Sequence, residues 1–600
     1  VMTPGLPPLY RLVPPALRPG SALLDAGRAM ARDWTLGESL FLKTMQVASE
    51  AAFKRRAIAE RRIMQHAHIG FRSVGRTTEA IRQVFDTTAR HGATVDRFGI
   101  TLDWSMGYPI AERAARGRGT GIVLAGAEDF ARITNVVPAA AHFGDFMLGL
   151  PGSVENAQGA LAAGATTIGN LGQYFTFRLP DWDDDVATTE ATVTALGLIA
   201  AQPAEVLVHS NLDDGFAGLL ADMSAALGMV LIEKYVVEAL IGGRVAHCYG
   251  HHFTAPVVRL AFHQALMQLT DTPGSMIFGA TISYRGTPAG NFASLANYLQ
   301  ADIWALLRHP SGHAINPVPV TENERIPDID EIVEAQLFAH RLVQHATASA
   351  DLVDPAPVDA MAGRLVQGAQ VFAQRVLAGF AEAGVDISDA AQLLLALRRT
   401  GPRRLEALFG AGLADRGAWG GRRAVVQAEW VEDLQHEAAR WISEVPEATR
   451  ASLAAAAPRV CVASSDVHEH GKALIEQILG QLGAEVVDGG TSADADDLVA
   501  AALEAGCRLV AVSTHNGIAL RYARQVLDAL GDAGASLPVC IGGRLNQVPD
   551  ESNSGLPMDV TSELAALGVV PCPDPLRLAV TQFVANSAYA IHNQQVKLGR

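Results

Sequence analysis

From Ile63 to about Ser349, short apolar runs alternate with stretches whose apolar positions recur at helical spacing. Runs of about four to eight apolar residues bounded by Gly, Pro, Asn or Asp read as buried strands. The candidates are Ile63 to Ile69, Val95 to Leu102, Gly121 to Ala125, Phe146 to Leu150, Thr166 to Gly169, Glu205 to His209, Met229 to Ile232, Arg244 to Tyr249, Ser275 to Ile282 and Ala314 to Pro317. They exceed the strand count of an α/β barrel, so one or two of them must lie outside the sheet. The alternation predicts an α/β fold with an N-terminal (β/α)8 TIM-type barrel over residues 63–349, whose chemistry would sit at the carboxyl ends of the strands.

Outside that region the pattern changes. Residues 1–62 read as a Pro-rich arm, Met2 to Pro19, followed by helical segments that end in Lys54-Arg55-Arg56 and Arg61-Arg62, a charge run expected to form a solvated face. Residues 350–457 are helical and Ala-rich, broken at Gly401-Pro402 and Gly417 to Gly421, and read as a helical extension and linker. Residues 458–600 return to strand and helix alternation. Val460 to Ala463, Ala484 to Val487, Leu509 to Ser513 and Pro538 to Gly543 are separated by helical stretches, which predicts a second, doubly wound parallel sheet.

Polar residues cluster where the barrel expectation wants them. His66 and His68 end the first run; Asn170, Gln173 and Tyr174 follow the Thr166 run; His209, Asn211, Asp213 and Asp214 follow the Glu205 run; His251 and His252 follow the Arg244 run. A histidine in such a place can equally serve to hydrogen-bond loop backbone. Their common placement makes His66, His68, Asn170, Gln173, Tyr174, His209 and His251 the candidate substrate-site residues, with Arg72 and Lys234 in reserve for a negative charge.

The second α/β region carries the sharpest motif. Asp466-Val467-His468-Glu469-His470-Gly471 follows the apolar run Val460 to Ala463 and precedes a helical pattern. A histidine on such a strand-to-helix turn can reach a metal outside its own domain, and an Asp two residues earlier can orient its ring. The spacing Asp466-x-His468-x-x-Gly471, with Ser513 and Gly542-Gly543 downstream, resembles the cobalamin-binding domain of adenosylcobalamin-dependent mutases and methionine synthases. That resemblance implies a flavodoxin-like fold, His468 as the lower-axial ligand of cobalt, and cofactor contacts from Asp466, Glu469, His470, Gly471, Ser513, Thr514, His515, Gly542 and Gly543. Where the family commonly has Ser-x-Leu, Thr514 is followed by His515.

The barrel region resembles the large subunit of glutamate mutase through Gly164-Ala165-Thr166-Thr167-Ile168-Gly169-Asn170-Leu171-Gly172-Gln173-Tyr174 and the helical stretch Gln370 to Gly410. The two parts would be fused in one chain, as in 2-methyleneglutarate mutase. Glutamate mutase grips its dicarboxylate with arginines. The matching places here hold His66-Ala67-His68, Met106-Gly107, Gly149-Leu150 and Asn170, which implies another substrate. The resemblance implies an adenosylcobalamin-dependent radical mutase performing a 1,2-rearrangement of a small polar molecule. A corrinoid-dependent methyltransferase, with residues 351–458 as a helical cap, and a cobalamin-binding sensor or carrier are the alternatives.

Composition narrows the partners. A formal charge of -16 argues against a nucleic-acid-binding surface, no apolar run is long enough to span a membrane, and the five cysteines are scattered without a Cys-x-x-Cys pair. A cytoplasmic enzyme with reduced thiols is expected, acting on a small molecule and working as a homodimer.

Overall fold

The computed structural model describes residues 5–116, 119, 121–415, 418–466, 469–491, 493–515, 517–547 and 558–572. The chain divides into two compact units, one formed by residues 1–179 and 184–429 and the other by residues 180–183 and 430–600. Among the described residues, no helix is long and apolar enough to cross a membrane. Cys248, Cys461, Cys507, Cys540 and Cys572 are all buried and unbridged.

The first unit is built on β1 (Met64–Ile69), β2 (Arg97–Ile100), β3 (Ala140–His142), β4 (Thr167–Gly169), β5 (Leu207–Asn211), β6 (Arg244–Cys248), β7 (Met276–Ile277) and β8 (Ala314–Ile315). All pairings are parallel, in a five-stranded sheet ordered β3-β2-β1-β8-β7 and a three-stranded sheet ordered β4-β5-β6. Single parallel bridges, Phe143 to Ile168 and Tyr249 to Ile277, join β3 to β4 and β6 to β7. Helices follow the strands, among them Val74–Arg90, Met223–Lys234, Pro256–Leu269 and Pro288–Arg308.

Three expected strands are not strands. Met229 to Ile232 lies inside the helix Met223–Lys234, which is buried on nearly every face, so its apolar run has no readable period. Lys234 therefore ends a helix, where it meets Glu238, Asp271 and the Leu269 carbonyl, and it is no candidate for a strand-end charge. Phe146 to Leu150 is apolar because Met147, Leu148 and Leu150 are buried, but Phe146 and Gly149 have positive φ, which no strand accommodates. The strand is Ala140–His142 instead, an Ala-rich triplet without β-branched residues that only its neighbours hold extended. Gly121 to Ala125 contributes one bridge, Ile122 to Leu102.

In the basic run before β1, Arg55, Arg56, Arg61 and Arg62 are exposed, as a solvated face requires, but Lys54 is not. The helix Glu50–Ala59, capped by the Ser49 side chain, closes the amino-terminal end of the strands. Lys54 is fully buried and donates to the Ser275 and Gly312 carbonyls at 3.0 and 2.7 Å. Helices Pro355–Glu382, Ala390–Thr400 and Pro402–Phe409 also belong to this unit. Gly368 packs on Ser224 and Gly228 on Phe372, which seats the Pro355–Glu382 helix directly on Met223–Lys234.

In the second unit β9 (Arg459–Ser464), β10 (Glu485–Asp488), β11 (Leu509–Thr514), β12 (Val539–Gly543) and, beyond the short ladder of β13 (Asn546–Gln547) and β14 (Met558–Asp559), β15 (Val570–Cys572) build a parallel sheet ordered β10-β9-β11-β12-β15. This is the 2-1-3-4-5 order of flavodoxin-like sheets. Its core, including Val510, Val512, Val526, Ile541 and Leu564, lies between the sheet and the helices Ala495–Glu504, Ala519–Asp532 and Thr561–Ala566.

Candidate functional site

In the second unit the edge formed by the carboxyl ends of β9, β11 and β12 gathers most of the motif residues. In a 2-1-3-4-5 sheet the chain crosses from one face to the other beside the first strand, which opens a crevice there. Asp466 is buried just beyond β9, and its Oδ2 accepts the His515 backbone N–H at 2.7 Å, tying the β9 turn to the end of β11. The Ser465 backbone N–H donates to the Ser513 carbonyl across the same gap at 2.9 Å. A Cβ on Gly471 would sit 2.2 Å from Ser513 Oγ, so glycine is needed for the helix Glu469–Gln481 to start this close to β11. Gly543 has φ +94°, and a Cβ there would meet the Thr514 carbonyl at 2.4 Å. Thr514 is buried and its Oγ1 has no hydrogen-bond partner.

The remaining motif residues are placed as follows. Glu469 accepts from the Thr491 hydroxyl, and Gly542 pairs in register with Ser513 on one side and Cys572 on the other. The half-exposed His470 ring turns toward Glu437, with Nε2 3.5 Å from Oε2, and this contact holds the Glu437 carboxyl below its ordinary range. His468 lies outside the described residues. The orphaned Thr514 hydroxyl at this edge fits a polar side arm of a group bound against the sheet.

In the first unit the inward face of the strands is rich in imidazole. Register pairs His66 with Arg97, His68 with Gly99, and Gly99 with His142, so these side chains share one face. The His66 ring lies 5.9 Å from both His68 and His142, and His142 lies 4.4 Å from His209. Beneath them Glu50 accepts from Arg97 Nε and from the Thr167 hydroxyl, both at 2.7 Å, and Arg97 Nη1 is 3.3 Å from His66 Nδ1. Burial first, and the Arg97 guanidinium next, hold His66, His142 and His209 well below the ordinary imidazole range and bring His68 to about 4. At neutral pH these rings are uncharged. Nε2 of His66, Nδ1 of His68 and both nitrogens of His142 are buried without a partner, whereas His209 Nδ1 meets Ser275 Oγ at 2.8 Å. Among the described residues no group of side chains has the arrangement of a metal site.

A second ring of polar groups stands at the strand ends. Asn170 Nδ2 donates to Asp214 Oδ2 at 2.7 Å and lies 3.4 Å from Asp145 Oδ1, which is also 3.5 Å from Gln173 Nε2. Asp213 faces away from this group, accepting the His251 N–H at 3.0 Å and contacting His252 Nδ1 at 3.2 Å. His251 Nδ1 is 3.0 Å from the Thr281 hydroxyl. Tyr174 leaves the set: it is fully buried, its hydroxyl bonds Thr189 at 2.7 Å in the helix Asp185–Ala200, and the Arg398 guanidinium stacks on its ring.

Sequence reasoning missed Arg97, His142 and Asp145. Placing a strand at 146–150 put His142 and Asp145 before its amino end, and Arg97 was hidden within a strand pattern. The inward parity shared with His66 and His68 was the one signal that could have found Arg97.

The comparisons fall on the second unit. No curated protein matches the chain. Residues 458–560, the segment that carries the crevice of the flavodoxin-like sheet, match the family described as the B12 binding domain, which supports a cobalamin-dependent protein.

Proposed function

We propose that the chain is an adenosylcobalamin-dependent isomerase that carries out a radical 1,2-rearrangement of a small polar substrate other than glutamate. The strand order of the first unit, with its two bridging contacts, supports reading the two sheets as one (β/α)8 barrel that holds the substrate. The observation that carries the reading is the presence in one chain of a B12 binding domain and a strand face of buried, uncharged imidazoles with ring nitrogens left unpaired. When bound, adenosylcobalamin supplies a labile cobalt–carbon bond and, from it, a radical able to abstract hydrogen. The chain's own residues bind, orient and exclude water: neutral His142 can donate and accept one hydrogen bond, and His66, whose Nδ1 faces Arg97, and His68 each keep one ring nitrogen for a bound molecule, without transferring a charge. On the cofactor side the Asp466 turn would present His468 as the lower axial ligand. Gly471, Ser513, Thr514 and Gly543 would line the slot for the nucleotide tail.

The methyltransferase alternative needs a compact helical cap ahead of the B12 binding domain. The helices between 355 and 409 belong to the first unit, which leaves Glu429–Glu444 and Glu447–Ala456 for that role. Anaerobic reconstitution with adenosylcobalamin and, separately, methylcobalamin tests the proposal. Isomerisation and a cob(II)alamin electron paramagnetic resonance signal are expected with the adenosyl form alone. Methyl transfer from methylcobalamin would replace the isomerase reading by the methyltransferase one.

A further inference from the structure

Buried carboxylates in the first unit have clear partners in most places. Glu50 has Arg97 and Lys54, Asp302 has Arg259 at 2.7 Å, and Asp213 has the His251 and His252 backbone and the His252 ring. Asp145 and Asp214 differ. Asp145 is held by the amides of Asn170 and Gln173, and Asp214 by those of Asn170 and Asn211, so among the described residues they share one amide between them and no cation. Burial and, for Asp214, repulsion from Asp145 and Asp213 raise both carboxyls above the ordinary range, Asp214 by far the more. Asp214 is nonetheless exposed and Asp145 half-buried, so the space beside both is open to solvent.

A second observation points into the same space. His142 is only 1% exposed and neither of its nitrogens has a partner. Its Nε2 lies 2.5 Å from where a Cβ on Gly144 would be, so the ring is aimed at the residue next to Asp145. His68 Nδ1 is likewise orphaned over Gly99, 2.8 Å from a Cβ there. Asn316, 1% exposed, has neither amide atom of its side chain bonded, and the Gln65 to Ile315 register places it level with His66 on the same face. A buried polar group left unpaired costs about 1–3 kcal/mol, and several gathered on one strand face call for a molecule that satisfies them.

We propose that this space takes a small substrate bearing an ammonium group, seated between Asp145 and Asp214, whose other polar groups are uncharged oxygens held by His68, His142 and Asn316. An ammonium offers three donors and no acceptor, which suits two carboxylates that already share an amide. It also relieves their mutual repulsion, where a carboxylate would add to it. Neutral imidazoles and an amide complement hydroxyl or carbonyl oxygens. The inference rests on the isomerase reading only in calling the bound molecule a substrate.

The test compares three probes of one length, 4-aminobutan-1-ol, butane-1,4-diol and 4-hydroxybutanoate, by ligand-observed NMR on the full chain with and without bound cobalamin. The amino alcohol should bind at least about tenfold more tightly than the diol, and the acid most weakly, since one desolvated charge pair suffices for that ratio. In the doubly substituted Asp145→Asn, Asp214→Asn chain, shown folded by circular dichroism, the preference over the diol should vanish. The proposal is overturned if the acid binds as well as the amino alcohol, if none of the three binds the wild-type chain, or if the preference survives the double substitution. Cobalamin binding is followed separately by its visible absorption. An ammonium preference without adenosylcobalamin-dependent turnover would sink the isomerase reading and leave this one standing.

Discussion

Replacing His142 by leucine should change how many protons the chain takes up when it unfolds. Burial holds the His142 imidazole well below its ordinary range, with the Arg97 guanidinium and the neighbouring histidine rings adding to the effect. Neither nitrogen has a partner that would stabilise a charge. The folded ring is therefore neutral at pH 5.5, whereas in the unfolded chain a histidine of pKa about 6.5 is about nine-tenths protonated at that pH. Because the folded value is depressed, the stabilisation linked to this ring is present above about pH 6.5 and is lost as the pH falls through that value toward the folded one. The loss has a limiting slope of about 1.4 kcal/mol per pH unit and amounts to about 1.4 kcal/mol between pH 7.5 and 5.5. The assay is potentiometric: unfold wild type and His142→Leu in guanidinium at fixed pH without buffer and count the protons bound. Counting protons needs no two-state assumption, which a chain of two units would strain. Wild type should take up about 0.9 proton more than the variant at pH 5.5 and about 0.1 more at pH 7.5. Equal uptake at pH 5.5 would mean that the folded ring is already charged, and the neutral imidazole face would have to be abandoned.

Other substitutions probe the remaining arguments. Gly471→Ala should destabilise the second unit by about 1–3 kcal/mol, because its Cβ would lie 2.2 Å from Ser513 Oγ. Adding Ser513→Ala should restore much of that in urea denaturation, and strict additivity would contradict the close approach. Arg259→Leu leaves Asp302 buried without its ion pair and frees the carbonyls of Gly250, Phe253 and Phe278, so a loss of about 3–5 kcal/mol is expected in the melting of the first unit. A melting temperature like that of wild type would show that the pair contributes little. His468→Ala should remove histidine-nitrogen coupling from the cob(II)alamin spectrum, and coupling from dimethylbenzimidazole nitrogen in the unsubstituted protein would refute the ligand assignment. Glutamate should not be turned over, since Asp145 and Asp214 stand at the strand ends where a dicarboxylate needs cations; methylaspartate formation at an ordinary rate would refute this.

Sequence alone determined the class and order of the elements where pattern and burial agree. Strand β9 was legible because a strand buried on both faces is short, apolar and followed by a polar turn, whereas the half-polar strand β1 was legible from its place at the start of the strand and helix alternation. The B12 binding domain was legible because its signature is local: Asp466 lies just beyond β9, Gly471 is in the first turn of the helix Glu469–Gln481, and Gly542 and Gly543 end β12. Tertiary structure decided the rest. The apolar run Met229 to Ile232 became helix because a helix enclosed on nearly all sides is as featureless in sequence as a central strand, while Ala140–His142 became strand despite poor intrinsic preference. Lys54, read as part of a solvated face, became a buried plug because only the fold brings the Ser275 and Gly312 carbonyls to its ammonium. The convergence of Asp145, Asn170 and Asp214 likewise joins three separate segments. Each of these contacts spans long stretches of chain, and no local periodicity records which strand ends will meet.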